Sequence, residues 1–187
     1  MNDAPYPLTA DRFLRPTVAS DAPALAEALL RSRTYMAPFE PVRPEVFYTA
    51  EGQAQRLAGI LADREAGRAG AWVIVDAKDR AVGNFTLSGI ALGAFHSGVL
   101  GYWVDAAQTG RGLATAAVGR ICDLARDDLG LHRVEAGTLL YNQASQRVLT
   151  KNGFEEYGVA PKFLYIDGEW RDHRLFQRLL HDDPPAL

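Results

Sequence analysis

Apolar positions along the chain follow two different periods, and each change of period marks a switch between helix and strand. Near the start, PYPLTADRFLRPT predicts a short strand around Arg12 to Arg15, ended by Pro16. Leu25, Ala28 and Leu29 then share one helical face behind a cap at Ser20 or Asp21, with Pro23 tolerated in the first turn. Pro38, Pro41 and Pro44 stand too close together for a regular helix, so MAPFEPVRPEVF reads as a loop. Helical spacing returns with Leu57, Ile60 and Leu61 from about Thr49 to Ala66, and Gly67 with Gly70 closes that second helix.

The period then shortens. AWVIV at 71–75, AVGNFTL at 81–87 and GVLGYWV at 98–104 are β-branched and aromatic, and the turn-forming 76–79 segment splits the first two, which predicts an antiparallel meander. Next, Val118, Ile121, Cys122, Ala125 and Leu129 mark a third helix with Gly130 as its stop. A strand VEAGTLL leads into a short helix with Asn142 at its N-cap, Lys151 in the last turn and Gly153 just past it. Asp167 and Gly168 between two apolar segments form the strongest hairpin signal in the chain. The order β-α-α-β-β-β-α-β-α-β-β, with no repeat and no linker, is that of a mixed α/β sheet.

Composition narrows the class. With 187 residues, 48% apolar and 23% charged, one well-buried core is expected, and a single domain over residues 1–187. The net charge of −3 lacks the basic excess of a nucleic-acid binder. No apolar run approaches the roughly 20 residues of a membrane helix. The first residues, MNDAPYPLTADRF, lack the basic start and apolar stretch of a secretory signal, so a soluble, cytoplasmic protein without membrane partners is expected. Cys122 is the single cysteine, which agrees with a reducing compartment, and its place on an apolar helical stripe makes it a core thiol rather than a nucleophile. His96, His132, His173 and His181 show no ligand spacing, so no metal site is expected.

The candidate chemistry begins at Gly110, Arg111, Gly112, Leu113, Ala114 and Thr115, between a strong strand and a strong helix. Successive main-chain N–H groups before a helix N-terminus form a concavity for phosphate oxygens, and glycine lets a ligand come close; a plain tight turn has the same residues. A P-loop is excluded because no lysine follows the glycines, and a Rossmann fingerprint because Thr115 stands where its third glycine or alanine belongs.

LGYWVD at 100–105 followed by TGRGLA at 109–114 resembles motif A of the GNAT superfamily of N-acetyltransferases, and NQASQRVLTKNGF at 142–154 is similar to its later strand-to-helix segment. FEPVR at 39–43, FH at 95–96 before LGY, and IDGEWRDH at 166–173 resemble the RimJ/RimL-type ribosomal-protein N-terminal acetyltransferases, RimJ most closely. The resemblance implies a central, mostly antiparallel sheet of about seven strands, splayed between the family's fourth and fifth strands and flanked by about four helices. It also implies acetyl-CoA as co-substrate. Thr109 departs from the family's usual Gln or Arg, with Gln108 one residue early, which puts one side-chain contact to the co-substrate in doubt.

By family position, the backbone of Trp103 and Val104 pairs with the pantetheine arm, residues 109–115 hold the pyrophosphate, and Asn142 adds a contact beside its capping role. A strand amide would stabilise the oxyanion as an amine attacks the thioester, with no covalent enzyme intermediate. Ser145 is the candidate proton donor to the departing thiolate; a locally satisfied first-turn serine is the alternative. Glu40 is the candidate for drawing the amine proton through water, against a solvated loop carboxylate, while Tyr35 and Phe39, with Tyr48, are candidates for the acceptor groove. An α-amino group of pKa about 7.7–8.0 is roughly a tenth neutral at pH 7, whereas a lysine amine is neutral to about one part in 2,500, so N-terminal acceptors need little help from a base. His173 and Asp172 are strand neighbours pointing to opposite faces and form no dyad. Three readings follow: acylation of a protein N-terminus such as a ribosomal protein's, acylation of a small amine such as an antibiotic or polyamine, and non-catalytic acyl-CoA binding. The acyl group, and monomer against homodimer, are left open by the residues.

Overall fold

In the computed structural model, which describes residues 4–184, eight strands form one sheet in the order β1-β2-β3-β4-β5-β6-β8-β7. The strands are β1 (Tyr6–Thr9), β2 (Arg12–Pro16), β3 (Gly70–Asp76), β4 (Ala81–Ala91), β5 (Ser97–Val104), β6 (Arg133–Leu139), β7 (Glu155–Ile166) and β8 (Glu169–Leu179). Four α-helices accompany them: α1 (Ala22–Met36), α2 (Ala50–Glu65), α3 (Leu113–Asp127) and α4 (Gln143–Lys151). Every neighbouring pair is antiparallel except β5 and β6, which the crossover through α3 makes parallel. The expected mixed α/β architecture is therefore present, with one strand more than the expected seven. That strand, β1, is a four-residue hairpin partner of β2 containing Pro7, too short and too punctuated to carry a period of its own. The first three and last three residues of the expected 1–187 domain lie outside the described residues.

Strand alternation builds two cores from one sheet. On β3, Val73 and Val75 face Leu25 and Ala28 of α1 and Leu57 of α2. Trp72 and Ile74 face the other way, into the larger core with Phe85, Leu87, Leu100 and the α3 residues Ala117, Val118 and Ile121. The chain is thus helix pair, sheet, helix pair. The caps follow sequence chemistry at α2 and α4, where the Thr49 hydroxyl accepts from the Gly52 N–H and the Asn142 side chain from the Ser145 N–H. At α1 the expected cap works differently: Asp21 occupies the cap position but accepts from Arg15 and the Val18 N–H, because a 3-10 turn at Ala19–Asp21 turns its carboxylate back toward the preceding strand. The hairpin between β7 and β8 turns at Asp167 and Gly168, with φ of 48° and 77°, the left-handed pair that a tight two-residue turn demands. Among the described residues, no helix is long and apolar enough to cross a membrane.

Candidate active site

Pairing between β5 and β6 stops early. Three parallel rungs join them: Ser97 to Arg133, Gly98 to Val134 and Val99 to Glu135. Beyond these, β5 continues to Val104 on β4, and β6 continues to Leu139 on β8. Residues 100–104 and 136–139 therefore turn toward each other a row of backbone groups that no neighbouring strand satisfies, an edge an added extended group can pair with. Trp103 and Val104, the expected pantetheine contacts, lie on this free stretch, with the Trp103 side chain toward the α1–α2 core and Val104 toward the α3 core. Gly101 is two residues past the last rung, and a Cβ added there would meet nothing within 4 Å. No internal packing requires glycine at this strand position, which suits close approach by a ligand.

The chain leaves β5 and reaches α3 through the glycine turn. Gly110 and Gly112 have φ of 75° and 76°, a left-handed backbone that glycine adopts without strain, and added Cβ atoms would meet nothing within 4 Å. The first bond of α3 runs from the Ala116 N–H to the Gly112 carbonyl, so the amides of Leu113, Ala114 and Thr115 have no intrahelical acceptor. The Leu113 side chain is buried in the core, leaving only its backbone for the site, and Arg111 is exposed. The Thr109 hydroxyl donates to the Ala106 carbonyl, and the Gln108 side chain accepts from Arg12. Both side chains are engaged within the chain, so an anion held here would meet mainly backbone N–H groups and the positive end of α3.

Across the opening stands the first turn of α4. The hydroxyls of Ser145 and Tyr102 lie 2.8 Å apart and share a hydrogen bond. Tyr102 stacks on Phe85 at 5.4 Å and 11°, and burial pushes its phenol up to about 12, so it stays protonated at neutral pH. Tyr102 lies on the free stretch of β5 and was not among the expected site residues. Its alternation with Leu100 and Val104 onto the α3–α4 face was the available signal.

On the other sheet face, Tyr35, Phe39 and Tyr141 form a chain of ring contacts at 6.2 and 6.1 Å, and the Tyr141 hydroxyl donates to the Pro38 carbonyl at 2.8 Å. These contacts dock the proline-rich loop onto the segment that follows β6. The loop, with Met36, Tyr48 and Asp167, encloses a cleft of about 140 Å³ into which Glu40 and Arg43 face. Burial raises the Glu40 carboxyl above the usual carboxylate range, with Arg43 and Arg56 pulling the other way. Arg56, on α2, reaches Asn84 of β4 at 3.5 Å, and Asn84 pairs with Trp103 across β4 and β5. Arg56 too was not anticipated; an arginine beside Leu57 on an apolar helical stripe was its signal.

The residues excluded from chemistry are engaged elsewhere. Asp172 accepts from the Lys162 N–H and His173 contacts the Arg171 carbonyl, so the two make no pair. Cys122 is buried, and burial pushes its thiol up to about 11. Among the described residues, no group of three His, Cys, Asp or Glu side chains is arranged to hold a metal.

Comparison with known proteins places this geometry in a family. Residues 12–155 match the acetyltransferase (GNAT) domain model. The chain is 35% identical over 172 residues to a probable N-acetyltransferase, YjcK, of Bacillus subtilis, covering 91% of this chain and 95% of that one. It superposes on the ribosomal-protein-S5-alanine acetyltransferase of Vibrio fischeri with a TM-score of 0.93 at 33% identity, over 98% of this chain and 100% of that one. Mycobacterium smegmatis RimJ, solved in complex with a CoA disulfide, gives 0.85 at 33% identity, over 90% and 81% of the two chains. The chain belongs to the GNAT acetyltransferase family, as the glycine turn and the 142–154 segment implied. It is an acyltransferase with the fold of the RimJ-type enzymes.

Proposed function

We propose that this protein transfers an acetyl group from acetyl-CoA to the N-terminal amine of a protein, such as a ribosomal protein, within one domain spanning residues 1–187. The observation that carries the reading is the unpaired edge of β5 leading into the amide-lined N-terminus of α3. The open space over Gly110 and Gly112 fits a diphosphate, and the room at Gly101 fits a thioester arm along the strand. A relative complexed with CoA and a relative that acts on ribosomal-protein alanine, both 33% identical, support the choice of donor and acceptor.

Acetyl-CoA supplies an activated acetyl group: the amine nitrogen bonds to the acyl carbon, the carbon–sulfur bond breaks, and one proton moves from nitrogen to sulfur. Backbone N–H groups of residues 110–115 and of Trp103 and Val104 orient the donor. Asn142 caps α4 and keeps its amide N–H groups for the same ligand. Ser145, held in place by the Tyr102 phenol, gives its hydroxyl proton to sulfur and takes one back from solvent, which balances the proton that Glu40 accepts and later releases to solvent. Glu40, its carboxyl raised by burial, receives the amine proton through water, while Tyr35 and Phe39 line the approach. Attack is direct, and Cys122, buried and protonated, takes no part. A ribosomal acceptor puts the activity in the cytoplasm.

The test is mass spectrometry of a cell extract incubated with the protein and isotopically labelled acetyl-CoA. Label on a protein N-terminus is expected. Label confined to a small amine, or tight acetyl-CoA binding with no labelled product, would replace the reading with one of its alternatives.

A further inference from the structure

Several arginines elsewhere in this fold are matched to carboxylates, while among the described residues Arg64 meets only the Thr17 carbonyl. Arg15 meets Asp21 through two N–H groups at 2.7 and 2.9 Å, and Arg31 meets Asp105 through two at 2.7 and 3.1 Å. Arg56 is different. It is only partly exposed, and burial lowers its pKa, yet its contacts are an amide oxygen of Gln53 at 3.4 Å and one of Asn84 at 3.5 Å, both at the long limit of a hydrogen bond. Most of its five donors are unspent. Arg43 lies close by, its guanidinium 4.7 Å from the Phe47 ring centre and its Nε buried without a partner. Glu40 is the carboxylate whose charge reaches both arginines, and among the described residues it makes no salt bridge with either.

A half-buried guanidinium with donors unspent suits an oxygen-bearing ligand. The trio of Glu40, Arg43 and Arg56 carries one net positive charge with Glu40 ionised and two with it protonated, and Asp167 at the same cleft offsets one of these, so the corner is never the acidic pocket that would attract a polycation. Arg56 reaches Asn84 of β4, whose register partner is Trp103 of the free edge, so its donors lie on the same face of the sheet as the Trp103 side chain. In a peptide N-terminus the carbonyl oxygen of the first residue lies next to the carbon bearing the amine. A polyamine offers no such oxygen.

We propose that Arg56, supported by Arg43, binds the first backbone carbonyl of the acceptor, and that this corner thereby selects α-amino groups on peptide backbones against polyamines. The proposal rests on the acetyl-transfer reading and names its acceptor-recognition residue. The experiment compares steady-state acetylation of an alanine-initiated peptide amide and of spermidine by wild type, Arg56→Gln and Arg56→Lys, with acetyl-CoA-induced thermal stabilisation as the check on folding. Wild type is expected to favour the peptide by about 100-fold in kcat/KM. Arg56→Gln is expected to raise the peptide KM by about tenfold or more, leave the acetyl-CoA KM unchanged and narrow the gap to spermidine, with Arg56→Lys between the two. An unchanged peptide KM in a folded Arg56→Gln protein overturns the assignment of Arg56 alone. A wild-type preference for spermidine overturns the selectivity. Turnover of no amine by a wild type that binds acetyl-CoA overturns both this proposal and the reading beneath it.

Discussion

Two glycines bracket α3, and substituting each with alanine separates backbone strain from ligand binding. Gly112 precedes the helix at φ 76° and Gly130 follows it at φ 63°, and at both an added Cβ would meet nothing within 4 Å. Each alanine is therefore charged mainly for a left-handed backbone, a net cost of about 1 kcal/mol, equivalent to a fall in Tm of about 2–4 °C for a domain of this size. The ligand response should differ. At a concentration of 100 times Kd, acetyl-CoA stabilises the native state by about 2.7 kcal/mol. A methyl group at Gly112 projects into the space where the diphosphate must approach, and loss of one charge-assisted amide contact weakens Kd by about tenfold. Stabilisation at the same concentration then falls to about 1.4 kcal/mol. Thermal denaturation with and without acetyl-CoA should show Gly112→Ala with a ligand shift near half of wild type, and Gly130→Ala with the full shift. A full shift in Gly112→Ala, or an equal loss in both variants, would refute the assignment of the diphosphate to this end of the helix.

The remaining predictions concern the reacting groups. Ser145→Ala should lower kcat by about 10²-fold, the lower end for a general acid because a thiolate leaves readily. Tyr102→Phe, which spares the serine but removes its partner, should lower kcat several-fold and stability by about 1 kcal/mol at unchanged acetyl-CoA KM; an unchanged kcat in Ser145→Ala would remove both from the mechanism. The folded-state pKa of Glu40 lies above its unfolded value, so the stability it contributes is full below the ordinary carboxylate value of about 4.3 and is lost as pH rises through the raised folded value. Glu40→Gln should therefore gain Tm on wild type as pH is raised from about 4 to 8, and a gap independent of pH would contradict the burial of this carboxyl. Alkylation with iodoacetamide under native conditions should leave Cys122 unmodified and activity intact, since its thiol sits at about 11.

The parts of the site readable from the chain are those built by one continuous segment. A glycine turn between a strand and a helix supplies its own row of amides, so residues 110–115 are readable from one segment as a candidate anion site, with a plain tight turn as the alternative. The same holds for Asn142, whose capping role needs only the three residues after it. The Tyr102–Ser145 pair joins residues 43 apart and Arg56–Asn84 joins residues 28 apart, and no local period encodes which distant side chain will face which. The extra strand β1 escaped for a different reason. Four residues containing a proline have no alternation to detect, and they become a strand only because β2 offers an unpaired edge.

The most direct measurement is a crystal structure of the protein grown with CoA. The account predicts the diphosphate oxygens within hydrogen-bond distance of the main-chain N–H groups of residues 110–115, and the pantetheine arm lying along Trp103 and Val104 between β5 and β6. CoA bound elsewhere, with those amides turned away from it, would contradict the account at its root.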